Sequence, residues 1–118
     1  MFNNEYYIDI DAEKHFKNFD IKKERIDDID FGEKINKKYV VELDVPDGYR
    51  VSHLPDGLDI SNPEFSFRMN YKVDGNKIKY TKEIVIDKGI IQKSSFEKWN
   101  SSIKELNKFY EKQVILSK

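Results

Sequence analysis

Ser52, His53 and Asp56 lie within five residues of one another, and a hydroxyl, an imidazole and a carboxylate are the groups that nucleophilic acyl transfer requires. The spacing argues against that chemistry. Adjacent residues on a strand point to opposite faces, so Ser52 and His53 diverge, and an exposed or end-capping histidine is the simpler reading. His15 has no partner pattern, and Ser61, Ser66 and Ser94 have no histidine near them in sequence. The chain contains no cysteine, which removes thiol nucleophiles, disulfides and Cys-ligated zinc together. Asp27, Asp28, Asp30 and Glu33 offer the hard oxygen ligands that Ca²⁺ prefers. They lack the loop spacing with a glutamate at the twelfth position. Asp9 and Asp11, expected on one face of a first strand, are the next-best pair, and solvated acidic faces account for both groups. The 22 acidic residues are scattered almost evenly, so no pair stands out for glycoside hydrolysis. No catalytic, cofactor-binding or metal-ligating residue is assigned.

Binding chemistry is equally muted. Phe96, Trp99 and Tyr110 could stack on sugars or peptides, but they recur at helical spacing beside Ile103 and Leu106, which reads as core. Lys77, Lys79 and Lys82 flank Tyr80 along a strand, which reads as amphipathic alternation and not as a nucleic-acid stripe. Lys and Arg number 21, giving a net charge of −1 and no broad attraction to nucleic acid or anionic membrane. No apolar run approaches a membrane span or a signal-peptide core.

The elements behind these residues are mostly strands. Tyr6, Ile8 and Ile10 alternate with Tyr7, Asp9 and Asp11, predicting a strand over 5–11. Tyr39, Val41, Leu43 and Val45 do so over 38–45, with Lys38, Glu42 and Asp44 on the wet face. Pro46-Asp47-Gly48 and Leu54-Pro55-Asp56-Gly57 are turns around a short strand at 49–53. Phe65, Phe67, Met69, Tyr71 and Val73, then Ile78, Tyr80, Ile84 and Ile86, make a hairpin of 64–73 and 77–86 about Asp74-Gly75-Asn76. Ser94-Ser95-Phe96-Glu97 reads as a capping box with Ser94 at N-cap and Glu97 at N3. It opens a helix over 95–111 with a stripe of Phe96, Trp99, Ile103, Leu106 and Tyr110. A last strand covers 113–117. Residues 12–37 form an irregular arm that lays Phe16, Phe19 and Phe31 on the sheet. The expected fold is mainly β (α+β), an antiparallel β-sandwich or sheet with one C-terminal helix packed on it. At 118 residues that makes a single domain, 1–118. The way Met1 to Glu5 runs straight into a strand suggests a domain within a longer chain, with a stand-alone product as the alternative.

The order of these pieces carries a resemblance. Arg25-Ile26-Asp27-Asp28-Ile29-Asp30-Phe31-Gly32 is followed by the Tyr39–Val45 strand, Val45-Pro46-Asp47-Gly48-Tyr49 and Leu54-Pro55. The hairpin, the aromatic helix and Gln113-Val114-Ile115-Leu116 come after. Over about residues 5–117 this resembles the C-terminal domain of uncharacterised function in exported transglutaminase-like proteins of Bacteroidetes. The resemblance implies a transglutaminase-like core domain of the same parent chain as partner, and a periplasmic or cell-envelope location. The core's Cys, His and Asp have no counterparts here. The implied role is a non-catalytic accessory module serving interdomain packing or substrate positioning. An autonomous binding module for envelope glycan or protein is the alternative. No enzyme activity, cofactor, nucleic acid or membrane insertion is implied.

Overall fold

A computed structural model describes residues 5–22 and 24–118. Nine strands, one α-helix and a single 3-10 turn follow in the order β1 (Glu5–Ile8), β2 (Ile29–Asp30), β3 (Ile35–Asp44), β4 (Arg50–His53), β5 (Leu58–Ser61), β6 (Phe65–Asp74), β7 (Lys77–Ile86), β8 (Ile90–Ile91), the turn Lys93–Ser95, α1 (Phe96–Tyr110) and β9 (Val114–Ser117). They build three antiparallel sheets, ordered β3-β7-β6-β5, β1-β9-β4 and β2-β8. The expected antiparallel β architecture with one C-terminal helix is what the chain adopts.

The period of two explains the large sheet. Phe65, Phe67, Met69, Ile78, Tyr80, Ile84 and Ile86 are all buried on one face, and α1 and the small sheet cover that face. Asp74 pairs with Lys77 across a two-residue turn. Gly75 there has φ 60, the glycine-first chemistry that suits a right-twisted hairpin. Tyr71 and Tyr80 are direct cross-strand partners with ring centroids 4.8 Å apart, so the register is in phase with the apolar pattern. Beyond the hairpin turn, Val114 and Leu116 of β9 pack with Ile78 and Val45. The molecule is elongated, 54 × 25 × 18 Å with a radius of gyration of 16.8 Å, well above the ~13.5 Å of a compact domain of this length.

Several boundaries differ from the sequence reading. β1 stops at Ile8, β3 begins at Ile35, and β2, β5 and β8 are additional strands. The arm is therefore irregular only in part. β8 can approach β2 because Gly89, at φ 70, brings its backbone against Glu33, where a Cβ would lie 2.1 Å from the carbonyl oxygen. The capping box does not form. The helix begins one residue later, at Phe96, with Ser95 at the N-cap and no side-chain cap, and Ser95 Oγ donates instead to Glu64 Oε1 at 2.9 Å. A tertiary contact with Glu64, the residue before β6, has taken over from local capping.

The helix stripe is wider than expected, with Trp99, Ser102, Ile103, Leu106, Phe109 and Tyr110 all buried. Trp99 is fully buried among Phe16, Phe19, Phe65 and Phe67, with centroids 5.1–6.0 Å away. Side chains of α1 also replace a partner strand for the arm. Trp99 Nε1 donates to the Phe19 carbonyl at 2.7 Å, and Tyr110 Oη donates to the His15 carbonyl at 2.7 Å. Asn100 accepts from Ile21 N–H at 2.7 Å and donates to its carbonyl at 2.9 Å, while Asn107 accepts from Asn18 N–H at 2.8 Å. These bonds satisfy arm backbone that no ladder serves, and they hold Phe16 at the unfavourable φ of 63°.

Candidate functional site

One strand position breaks the apolar phase of the large sheet. On β7 the inward series is Ile78, Tyr80, Lys82, Ile84 and Ile86, and Lys82 is only 2 % exposed. In its row it pairs with Tyr39 on one side and Met69 on the other, with Leu58 beyond. Lys82 thus belongs with Tyr80 on the inner face and not with Lys77 and Lys79 on the wet one, which corrects the expectation of a single basic, solvated series.

Its counter-ion is Asp11. Once β1 ends at Ile8, the chain leaves the strand phase and turns Asp11 inward, so it is buried and not part of a solvated face with Asp9. Lys82 Nζ lies 2.9 and 2.8 Å from the two carboxylate oxygens, and Tyr80 Oη donates to Oδ2 at 2.7 Å. The backbone N–H groups of Glu13 and Lys14 donate to Oδ1 at 3.1 and 3.0 Å. The Lys82 ammonium also sits 5.2 Å from the Tyr39 ring centroid and 5.8 Å from that of Tyr110, within cation–π range.

The electrostatics follow from this packing. Burial alone would raise the Asp11 carboxyl, but the bonds from Lys82, the Lys14 backbone and Tyr80 outweigh it and hold the group below its ordinary value. Burial and the Asp11 bond push the Tyr80 phenol far up, burial and the Asp11 charge raise Tyr110, and Tyr71 is pushed up to about 12 by burial. Every oxygen of Asp11 is occupied by a donor. The carboxylate is ionised and both its oxygens are held by the Lys82 ammonium, so the cluster is an ion pair that ties the arm to the sheet, with neither a free nucleophile nor a free base.

His15 packs beside this cluster, stacked on Tyr39 at 4.7 Å, with Nε2 3.1 Å from Glu13. Burial lowers its pKa, as does the charge of Lys82. Its Nδ1 is buried without a partner. No serine meets either histidine by hydrogen bond among the described residues. Ser52 Oγ donates to the Ile115 carbonyl at 3.1 Å and accepts from Ser117 at 2.8 Å, with a β-bulge between Val51 and His53. The acidic cluster serves backbone: Asp28 accepts from the distant Lys93 N–H and Asp30 from the nearby Gly32 N–H, each at 2.7 Å. No group of three or more His, Asp or Glu side chains converges as a metal site among the described residues. Phe96, Trp99 and Tyr110 are packed against the core rather than presented as a platform.

What remains exposed is apolar edge and charged sheet face. Tyr6 and Tyr7 of β1 are 45 % and 58 % exposed, and Tyr6 lies 5.1 Å from Tyr49. Across the outer face of the large sheet, Asp59, Arg68, Glu83 and Lys38 form one row of alternating sign, lining an open depression of about 550 Å³.

The fold is an extended antiparallel β domain whose core is covered by one helix. The chain belongs to a family described as a domain of unknown function with a solved structure (DUF3858), whose model matches residues 4–116. No curated protein and no solved structure matches it. No helix among the described residues is long and apolar enough to cross a membrane.

Proposed function

We propose that this chain is a non-catalytic accessory module that follows a transglutaminase-like core in an exported, envelope-located parent protein, where it packs on that core and helps position its substrate. The observation that carries the reading is the aromatic edge on β1: Tyr6 and Tyr7 project from opposite faces of a four-residue edge strand, with Tyr49 beside Tyr6. Tyrosines of this kind are characteristic interface anchors, apolar in body and polar at the tip. Among the described residues the buried charges, Asp11 and Lys82, are paired with each other, an arrangement that suits a supporting role.

The test uses the parent's core domain and this chain in trans. Calorimetric titration should give binding that weakens at least tenfold in the Tyr6→Ser/Tyr7→Ser variant, a loss expected of two interface anchors. The chain alone should not turn over a γ-glutamyl ester. A core that ignores this chain in both stability and affinity would sink the reading. Turnover by the chain alone, abolished by His15→Ala or His53→Ala, would replace it with a catalytic one. The charged outer row favours a second reading, a binding module for envelope glycan or protein, which predicts ligand retention without the core and sensitivity to Arg68→Ala.

A further inference from the structure

β3 is an edge strand of ten residues, whereas the other edges of the two larger sheets, β1, β4 and β5, have four residues each. A long edge is an open row of backbone donors and acceptors that proteins normally cap or blunt. Among the described residues no loop backbone or side chain hydrogen-bonds to the backbone of residues 36–44. Val40 and Val41, at the middle of the strand, are 50 % and 39 % exposed.

From this edge we infer that the chain self-associates, β3 pairing antiparallel with β3 of a second copy about a two-fold axis through Val40 to make one eight-stranded sheet. A two-fold axis between antiparallel strands keeps each face continuous, so only alternate registers are open. Centred on Val40, the register sets Val40 against Val40 and Lys38 against Glu42 on both sides of it. On the inner face Tyr39 meets Val41. Shifted one step toward Tyr39, Lys38 would oppose Val40, and shifted toward Val41, the exposed Val40 would oppose Glu42. Over the central positions 38–42 the Val40 register is the one in which apolar meets apolar and charge meets opposite charge; toward the strand ends Lys37 opposes Leu43.

The intramolecular rows extend the argument. Asp59, Arg68, Glu83 and Lys38 already alternate in sign across one copy, and Glu42 pairs with Lys79. Joining Lys38 to Glu42 of the second copy, whose own partner is Lys79, continues the alternation through the interface. In-register parallel stacking would instead place Lys38 on Lys38 and Glu42 on Glu42, so the same charges oppose open-ended fibres. One shared strand pair buries less than a standard interface, so the dimer is weak and concentration-dependent.

Sedimentation velocity from micromolar to near-millimolar concentration should show a monomer–dimer equilibrium. Lys38→Glu should weaken it about tenfold, since two attractive pairs become repulsive, and Lys38→Glu/Glu42→Lys should restore it, with circular dichroism confirming the fold of each variant. Because the chain has no cysteine, Val40→Cys should oxidise to a linked dimer under conditions that leave Val73→Cys, at a similarly exposed site, largely unlinked. A monomer at every concentration would overturn the inference, and so would indifference to Lys38→Glu or equal linking at both sites. Protection of the β3 amides only when the parent's core domain is present would assign the edge to that core instead.

Discussion

The space between the large sheet and its cover is filled in two different ways. At one end Trp99 sits in a cage of four phenylalanine rings, its indole N–H satisfied by the Phe19 carbonyl. Toward the middle the same inner face closes on an ion pair, Asp11 with Lys82, roofed by Tyr39, Tyr80 and Tyr110. The two regions share a sheet and differ in what a lost group leaves behind. Truncation in the aromatic end leaves a cavity that the neighbours can partly close. Truncation in the ionic region leaves a charge with no counter-ion and no water. The aromatic end supplies stability, while the ionic region fixes where the arm crosses the sheet.

The largest effect is expected at the aromatic end. Trp99→Ala should cost about 3–5 kcal/mol, near the upper end because four rings lose contact and the Phe19 carbonyl loses its donor. Chemical denaturation measures this directly. A loss under about 1 kcal/mol would mean that the cage is loosely packed and that the contrast between the regions is false.

Much of this end was legible in the sequence, because its signal is local. Phe65, Phe67 and Met69 announce their face by alternation, and Trp99, Ile103, Leu106 and Tyr110 announce theirs by helical spacing. The ionic region was only half legible. Lys82 is in phase with Ile78, Tyr80, Ile84 and Ile86, so phase alone marks it as an inward lysine in need of an acid. Asp11 carries no such mark. Its partner lies 71 residues away, and the strand that would have set its direction stops three residues earlier. β2 and β8 were missed for a related reason, since two-residue strands are too short to display a period, and Leu58 and Ile60 of β5 offer only a single alternation.

The next prediction tests the ionic region by removing one partner and then both. Lys82→Met should cost about 3 kcal/mol, the lower end for a broken buried pair, because Tyr80 and two backbone amides still serve the carboxylate. Asp11→Asn/Lys82→Met should recover most of that, as neither residue then buries a charge. The pH dependence has a definite sign. In the wild type the Asp11 carboxyl is held below its ordinary 3.8. Its contribution is therefore fully present above about pH 4 and lost as pH falls through the folded-state value. Without Lys82 the leading influence is burial, which raises the group, so acid relieves the variant by protonating the stranded carboxylate. The Lys82→Met deficit should therefore shrink between pH 7 and pH 4. A deficit that grows on acidification would show that Asp11 is neutral or solvated, and the ionic region would lose its distinct character.

The smallest effect separates a local signal from the distant partner that displaced it. Ser94-Ser95-Phe96-Glu97 has the composition of a capping box, yet the helix start is held by Glu64, which accepts from Ser95 Oγ at 2.9 Å and faces the Gln92 N–H at 3.3 Å. A carboxylate just ahead of β6 ties the 3-10 turn before α1 to the sheet and so sets where the helix enters over Trp99, which a self-contained box would not do. Glu64→Ala should therefore lower stability by about 1 kcal/mol. Glu97→Ala should cost no more than about 0.5 kcal/mol, the value of an exposed acid near a helix N-terminus. Thermal melts of the two variants rank them. The reverse order would mean that the box forms in solution and that the helix is positioned by its own sequence rather than by the sheet beneath it.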